Sequence, residues 1–178
     1  MPSWFSSLRA IVDPFIQICL LRRGPQDLPT SGILLAIALA AHTLMAVLFF
    51  AVYENAMKAL LSGALDTVLL AALTGTLLYV QRQNARFVQT LTALAGTGAL
   101  FTLISLPVSG WFLGAGPESR EGGIAIMLLL TLVAWSLAVA GHIFRHALSA
   151  PYFVGLVFAV VFYGISIWVF RALFPPSA

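Results

Sequence analysis

The stretch Met57–Val80, MKALLSGALDTVLLAALTGTLLYV, is almost unbroken in apolar residues and carries a carboxylate, Asp66, inside it. As a helix it is about 36 Å long at ~1.5 Å per residue, enough to cross a hydrocarbon core of roughly 30 Å. A carboxylate at that depth costs on the order of 2.5–3.5 kcal/mol on insertion scales. It must therefore face other helices and find a partner there.

Composition points to the same solvent. Hydrophobic residues make up 61% of the chain and charged residues 8%, against about 25% charged in soluble globular domains, which this balance excludes. A length of 178 residues suits one bundle of four to six spanning helices. The net charge of +3 and the absence of any basic cluster beyond Arg22–Arg23 do not point to nucleic acid. Arginines next to apolar runs fit the positive-inside rule and attraction to anionic lipid. A single cysteine, Cys19, excludes an intrachain disulfide or a multi-cysteine metal site and reads as apolar filler. The sequence gives no reason to invoke a cofactor.

At the N-terminus, Arg9 and Asp13 interrupt the apolar residues and two arginines follow them, which is not the layout of a cleavable signal. Asp13-Pro14 predicts a helix start, and Arg22, Arg23, Gly24 and Pro25 a stop. The helix between them is too short to span. With Trp4, Phe5, Leu8, Ile11 and Val12 it reads as an interfacial segment on the membrane surface. A sixth span over residues 4–21 is the rival reading, and it has to bury Arg9 and Asp13. Gly24–Ser31 (GPQDLPTS) is a turn that cannot sit in lipid. Thr30 or Ser31 then caps the first span.

The predicted fold is all-α: a polytopic transmembrane helical bundle of five spanning helices preceded by a short interfacial amphipathic helix. Residues 1–31 form the N-terminal segment and 32–174 the bundle, with spans at about 32–53, 58–80, 87–106, 124–144 and 151–170. A short tail, 175–178, follows. The third span is expected to stop at Pro107, leaving Val108–Gly123 as the one long loop. Small residues recur at four-residue spacing in Ala36/Ala40, Ala71/Gly75, Thr92/Gly96, Ala95/Ala99 and Gly155/Ala159, a spacing that lets helix backbones approach. Ser62-Gly63 and Gly96-Thr97-Gly98 are read as packing residues too. With five spans, Arg9, Arg22, Arg23, Arg82, Arg86 and Arg145 share one side, and Lys58, Arg120 and Arg171 the other. That asymmetry places the N-terminus in the cytoplasm, and a bacterial inner membrane is the expected location.

His42 and Asp66 are the sharpest candidate pair. Counted from Tyr53 and Lys58 they lie ~16 and ~12 Å deep on antiparallel neighbours, within reach of a hydrogen bond. Such a pair relays protons or holds an ion, or it fixes how two helices meet. His142 and His146 stand four apart, the spacing of a metal pair, but the segment reads HIFRH rather than H-E-x-x-H. As anchors near the interface they need no metal. Haem held between His42 and His142 is opposed by their different depths. Glu118, Arg120 and Glu121 read as solvated loop charges.

The layout of five short-looped spans behind an N-terminal segment, with Asp13-Pro14-Phe15 before the first span, resembles the Yip-type family of small membrane proteins. The eukaryotic members carry an Asp-Leu-Tyr-Gly-Pro type signature, whereas this chain has Gly24-Pro25-Gln26-Asp27-Leu28-Pro29, with the shared letters in another order. No binding residue is therefore carried over. The resemblance implies a non-enzymatic membrane organiser or adaptor that contacts other proteins.

The expected function is accordingly a non-enzymatic inner-membrane adaptor, assembly factor or organiser. Its partners would be the lipid bilayer, anionic lipid at the cytoplasmic face, and another membrane protein or a second copy of the chain. Trp4, Phe15, Arg22, Arg23 and Asp27 are the candidate interface residues. The alternative is a small proton- or ion-coupled transporter component that uses His42 and Asp66.

Overall fold

Six α-helices make up most of the described chain: α1 (Ser3–Cys19), α2 (Gly32–Ala51), α3 (Ala56–Val80), α4 (Phe87–Ala115), α5 (Arg120–Leu148) and α6 (Tyr152–Leu173). The computed structural model describes the backbone of residues 3–174 and the side chains of residues 11–174. The Trp4 side chain and the tail 175–178 lie outside the described residues. Five helices, α2 to α6, are long and apolar enough to cross a membrane. The chain is an integral membrane protein by that measure, with a short helix in front of the spans.

Local chemistry sets the helix starts. Ser31 accepts the Leu34 amide at 3.3 Å and Asn55 accepts that of Lys58 at 3.0 Å, opening α2 and α3. Ser119 does the same for Gly122 at 2.9 Å at the start of α5. Each satisfies an amide that has no partner within its helix. Three helices end alike. Leu21, Arg82 and Ser149 take positive φ after α1, α3 and α5. Amides one residue on reach back to Gln17, Leu78 and Arg145 carbonyls, closing the last turn as a glycine-type cap does, without glycine.

Two expectations are corrected here. Helix α1 begins at Ser3 and carries Pro14 inside it, rather than starting at Asp13-Pro14. Helix α4 does not stop at Pro107 but continues to Ala115. Proline removes one amide and opposes the carbonyl of Leu103. Breaking the helix in an apolar surround would strand several more backbone groups, so continuation costs less. Trp111 and Phe112 therefore lie on a helix, and the expected long loop shrinks to the turn before Arg120.

Helix α4 is the hub. In its most apolar stretch 44% of residues are buried, against 11% in α6. The run Thr90–Thr97 is buried without a break. Its residues are small, so α2 and α5 come close on either side. Leu91, Ala95, Ala140, Ile143 and Phe144 belong to one core cluster with Phe15 and Ile18 of α1. The α2 seam is Ala38, His42 and Ala46, a four-residue repeat. Ala36 and Ala40, expected at an interface, face outward instead. One helical face holds only one such row, and the row containing His42 has the stronger claim to burial. Gly155 and Ala159 are buried on α6 as expected.

At one end the chain gathers Arg22, Arg23, Arg82, Arg86 and Arg145 on or beside the helix termini. At the other, Phe50 stacks on Phe170 at 5.3 Å between centroids, tying the last turns of α2 and α6.

Candidate functional site

His42 Nε2 donates to Asp66 Oδ2 at 3.0 Å. Beside it the hydroxyls of Thr43 and Thr67 meet at 2.8 Å. Both contacts join α2 to α3 with the same offset in sequence, so two adjacent polar pairs fix the register of these helices. Gly63 lets the backbones approach, since a Cβ there would lie 2.8 Å from the Val47 amide nitrogen. The imidazole needs room on its other side as well. Gly98 of α4 supplies it, because a Cβ at Gly98 would stand 3.0 Å from His42 Nδ1. Gly96 similarly receives the Phe15 ring, which would overlap any Cβ there.

His42 is buried, but the Asp66 side chain keeps 33% of its surface exposed. His42 Nδ1 is buried with no hydrogen-bond partner among the described residues. It borders a cavity of ≈ 50 Å³ that Thr97, Ser136, Ala140 and Tyr163 also line. Counted from their ends at the arginine-rich face, His42, Asp66, Gly98, Ser136 and Tyr163 lie between about 15 and 21 Å deep at ~1.5 Å per residue. Five helices thus contribute to one layer. Reasoning from the sequence found His42 and Asp66 and missed Ser136 and Tyr163. Depth counting offered a signal for Tyr163, which sits about as far into α6 as His42 into α2.

The second polar centre is the arginine-rich end. His142 Nε2 donates to the Arg23 carbonyl at 3.0 Å, and the Gln26 amide reaches His146 Nδ1 at 3.4 Å. The two imidazoles meet edge to face with centroids 4.7 Å apart. Each is taken up by the N-terminal segment, which is the anchoring role. Among the described residues no group of three histidine, cysteine or carboxylate side chains comes together as metal ligands would. Gln89 donates to the Leu28 carbonyl at 2.7 Å, and Trp135 to that of Cys19 at 2.9 Å. Trp135 lies 13 residues, or ~20 Å, from the end of α5 at the arginine-rich face, so the end of α1 reaches the depth of the His42 layer, deeper than the roughly 5–10 Å of the expected interfacial helix.

This clamp revises the candidate interface. Phe15 is buried against α4 and is not offered to a partner. Arg22, Arg23 and Asp27 are exposed. Asp27 also accepts the Gly24 amide at 2.8 Å, holding the turn closed.

Arg86 was legible in the sequence only as a topogenic charge. Its guanidinium donates to the carbonyls of His146 and Ala147 at 2.8 and 2.9 Å and to Ser149 Oγ at 2.7 Å. These carbonyls end α5, where the helix dipole favours a cation. Arg86→Gln will lower stability by about 1–3 kcal/mol, the cost of stranding part-buried acceptors. Thermal unfolding in detergent checks this, with Arg82→Gln, an exposed position on the same turn, expected to change little.

Burial pushes the Cys19 thiol up to about 11. The raised value keeps it protonated at pH 7–8, where thiolate chemistry is slow. A maleimide will label the folded protein slowly at pH 7.5 and rapidly once the chain is unfolded in dodecyl sulfate. Fast labelling of the folded protein contradicts this account of Cys19.

No family model, curated protein or solved structure matches this chain.

Proposed function

We propose that this integral membrane protein is a non-enzymatic adaptor or organiser whose docking surface is the N-terminal segment and its turn. The observation that carries the reading is the clamp. Trp135, His142 and Gln89 hold the carbonyls of Cys19, Arg23 and Leu28, while Arg22, Arg23 and Asp27 face outward. A segment not needed for crossing the membrane is thus held in one shape by two helices. Pre-organisation of this kind lowers the cost of binding a partner. The occupant is a membrane protein, or anionic lipid at the cytoplasmic face, in a bacterial inner membrane with the N-terminus inside. The arginine asymmetry supports that orientation, and the layout likeness to the Yip-type family supports the adaptor class.

The test uses the full chain. Arg22→Glu with Arg23→Glu leaves the clamp intact, because it holds backbone carbonyls. Proteins cross-linked to the wild type in native membranes will be lost from the double variant, while its unfolding in detergent stays the same. An unchanged set of cross-linked proteins removes the reading.

A second reading is favoured by the His42–Asp66 contact at 3.0 Å: a small proton- or ion-coupled transporter component. Flux into liposomes that vanishes in Asp66→Asn supports it, and no flux from the wild type removes it.

A further inference from the structure

We propose that the cavity beside His42 is a site for one or two water molecules, joining His42 Nδ1 to Ser136 and Tyr163 and presenting a proton to the imidazole. The site deepens the second reading above and rests on it. It stands on the unpartnered Nδ1 of a residue that is only 8% exposed. With Nε2–H committed to Asp66, Nδ1 offers a lone pair when the ring is neutral and an N–H when it is charged. Either form needs a partner on the cavity side, and no described side chain provides one.

The cavity has the size for water, and four polar residues, His42, Thr97, Ser136 and Tyr163, edge its otherwise apolar lining. Its ≈ 50 Å³ leaves room for a water, whose share of the liquid is roughly 30 Å³. A buried water needs two to four polar partners. Ser136 Oγ donates to the Val133 carbonyl at 2.8 Å, and Thr97 Oγ1 to that of Ala93 at 2.7 Å. Both hydroxyl oxygens keep lone pairs for a water proton. The Tyr163 hydroxyl stands 3.5 Å from Ser136 Oγ, longer than the usual ~2.5–3.0 Å between hydroxyls. A water there gives one proton to Nδ1, the other to Ser136 or Thr97, and accepts from Tyr163.

The proton step balances simply. A hydrated proton entering the cavity gives H⁺ to Nδ1, an O–H bond breaking as an N–H bond forms. Neutral water remains. The new imidazolium is held by the Asp66 carboxylate through Nε2–H. The titratable groups facing His42 are Asp66 from α3 and, across the cavity, Tyr163 from α6; α4 and α5 bring Thr97, Gly98 and Ser136, which do not titrate in this range.

The full chain, labelled with ¹⁵N-histidine and reconstituted in phosphatidylcholine–phosphatidylglycerol bilayers, tests this by solid-state NMR. The His42 signals are those missing from His42→Gln. Water-to-nitrogen transfer will reach His42 Nδ1, and Tyr163→Phe will weaken that transfer. Ser136→Ala provides a second variant of nearly the same shape. A His42 Nδ1 that receives nothing from water, or a transfer untouched by both variants, overturns the site. Water contact without proton flux in liposomes supports the site and removes the transporter reading. Asp66-dependent flux without water contact overturns the site and keeps that reading.

Discussion

Gly155→Val will detach α6 from α5 and cost the bundle about 3 kcal/mol or more, at or beyond the upper end of ordinary overpacking. A Cβ at Gly155 would overlap the Gly141 carbonyl oxygen and lie 2.7 Å from the Arg145 nitrogen. Both are backbone atoms of α5, and no rotamer change moves them away. Gly141 faces the same crossing, where a Cβ would stand 3.0 Å from Leu156 Cα. The two glycines therefore let two helix axes come closer than side chains permit. Titration with dodecyl sulfate checks the prediction through the unfolding midpoint. Gly164→Val, on the same helix with open space around it, will leave the midpoint near that of the wild type. Equal midpoints for all three proteins would sink the argument.

Asp66→Leu is the second large effect. It strands the Nε2–H of a buried imidazole, which costs about 1–3 kcal/mol. Asp66→Asn keeps an amide oxygen where the carboxylate stood and costs less. His42→Leu combined with Asp66→Leu will be more stable than Asp66→Leu alone, because no polar group is then left stranded. The coupling energy from the complete cycle will fall near 0.6 kcal/mol and no higher than ~1.7, the range measured between membrane helices. The Thr43–Thr67 contact retains the helix register in all these variants, so the cycle reports the pair and not a collapse of the α2–α3 interface. A coupling of zero would mean that the 3.0 Å contact does nothing for the fold.

Much of the architecture was legible because lipid leaves few choices for a backbone. Apolar runs of spanning length with polar turns between them fixed the five spans, and depth counting brought His42 to Asp66. Pro107 misled because the rule that proline ends a helix assumes water to solvate the freed carbonyl. Ala36/Ala40 misled because spacing alone does not say which face of α2 turns inward; that depends on where His42 must go. The roles of Arg86, Gln89 and Trp135 were hidden for another reason. Their acceptors are carbonyls far along the chain, at Leu28, Cys19 and the end of α5, and a carbonyl has no letter in a sequence. Tyr163 and Ser136 look like ordinary residues of apolar helices until the fold places them around one cavity.

The unbroken passage of α4 through Pro107 has a consequence for how the protein sits in a bilayer. Helix α2 has 20 residues and α4 has 29, so they measure about 30 and 43 Å. Gly98 beside His42 sets their registration, and it leaves the part of α4 beyond Pro107 without α2 alongside. The α4–α5 hairpin therefore extends about 12 Å beyond the end of α2, with Glu118 and Arg120 at its tip. A soluble protease added from that side will meet this hairpin tip first.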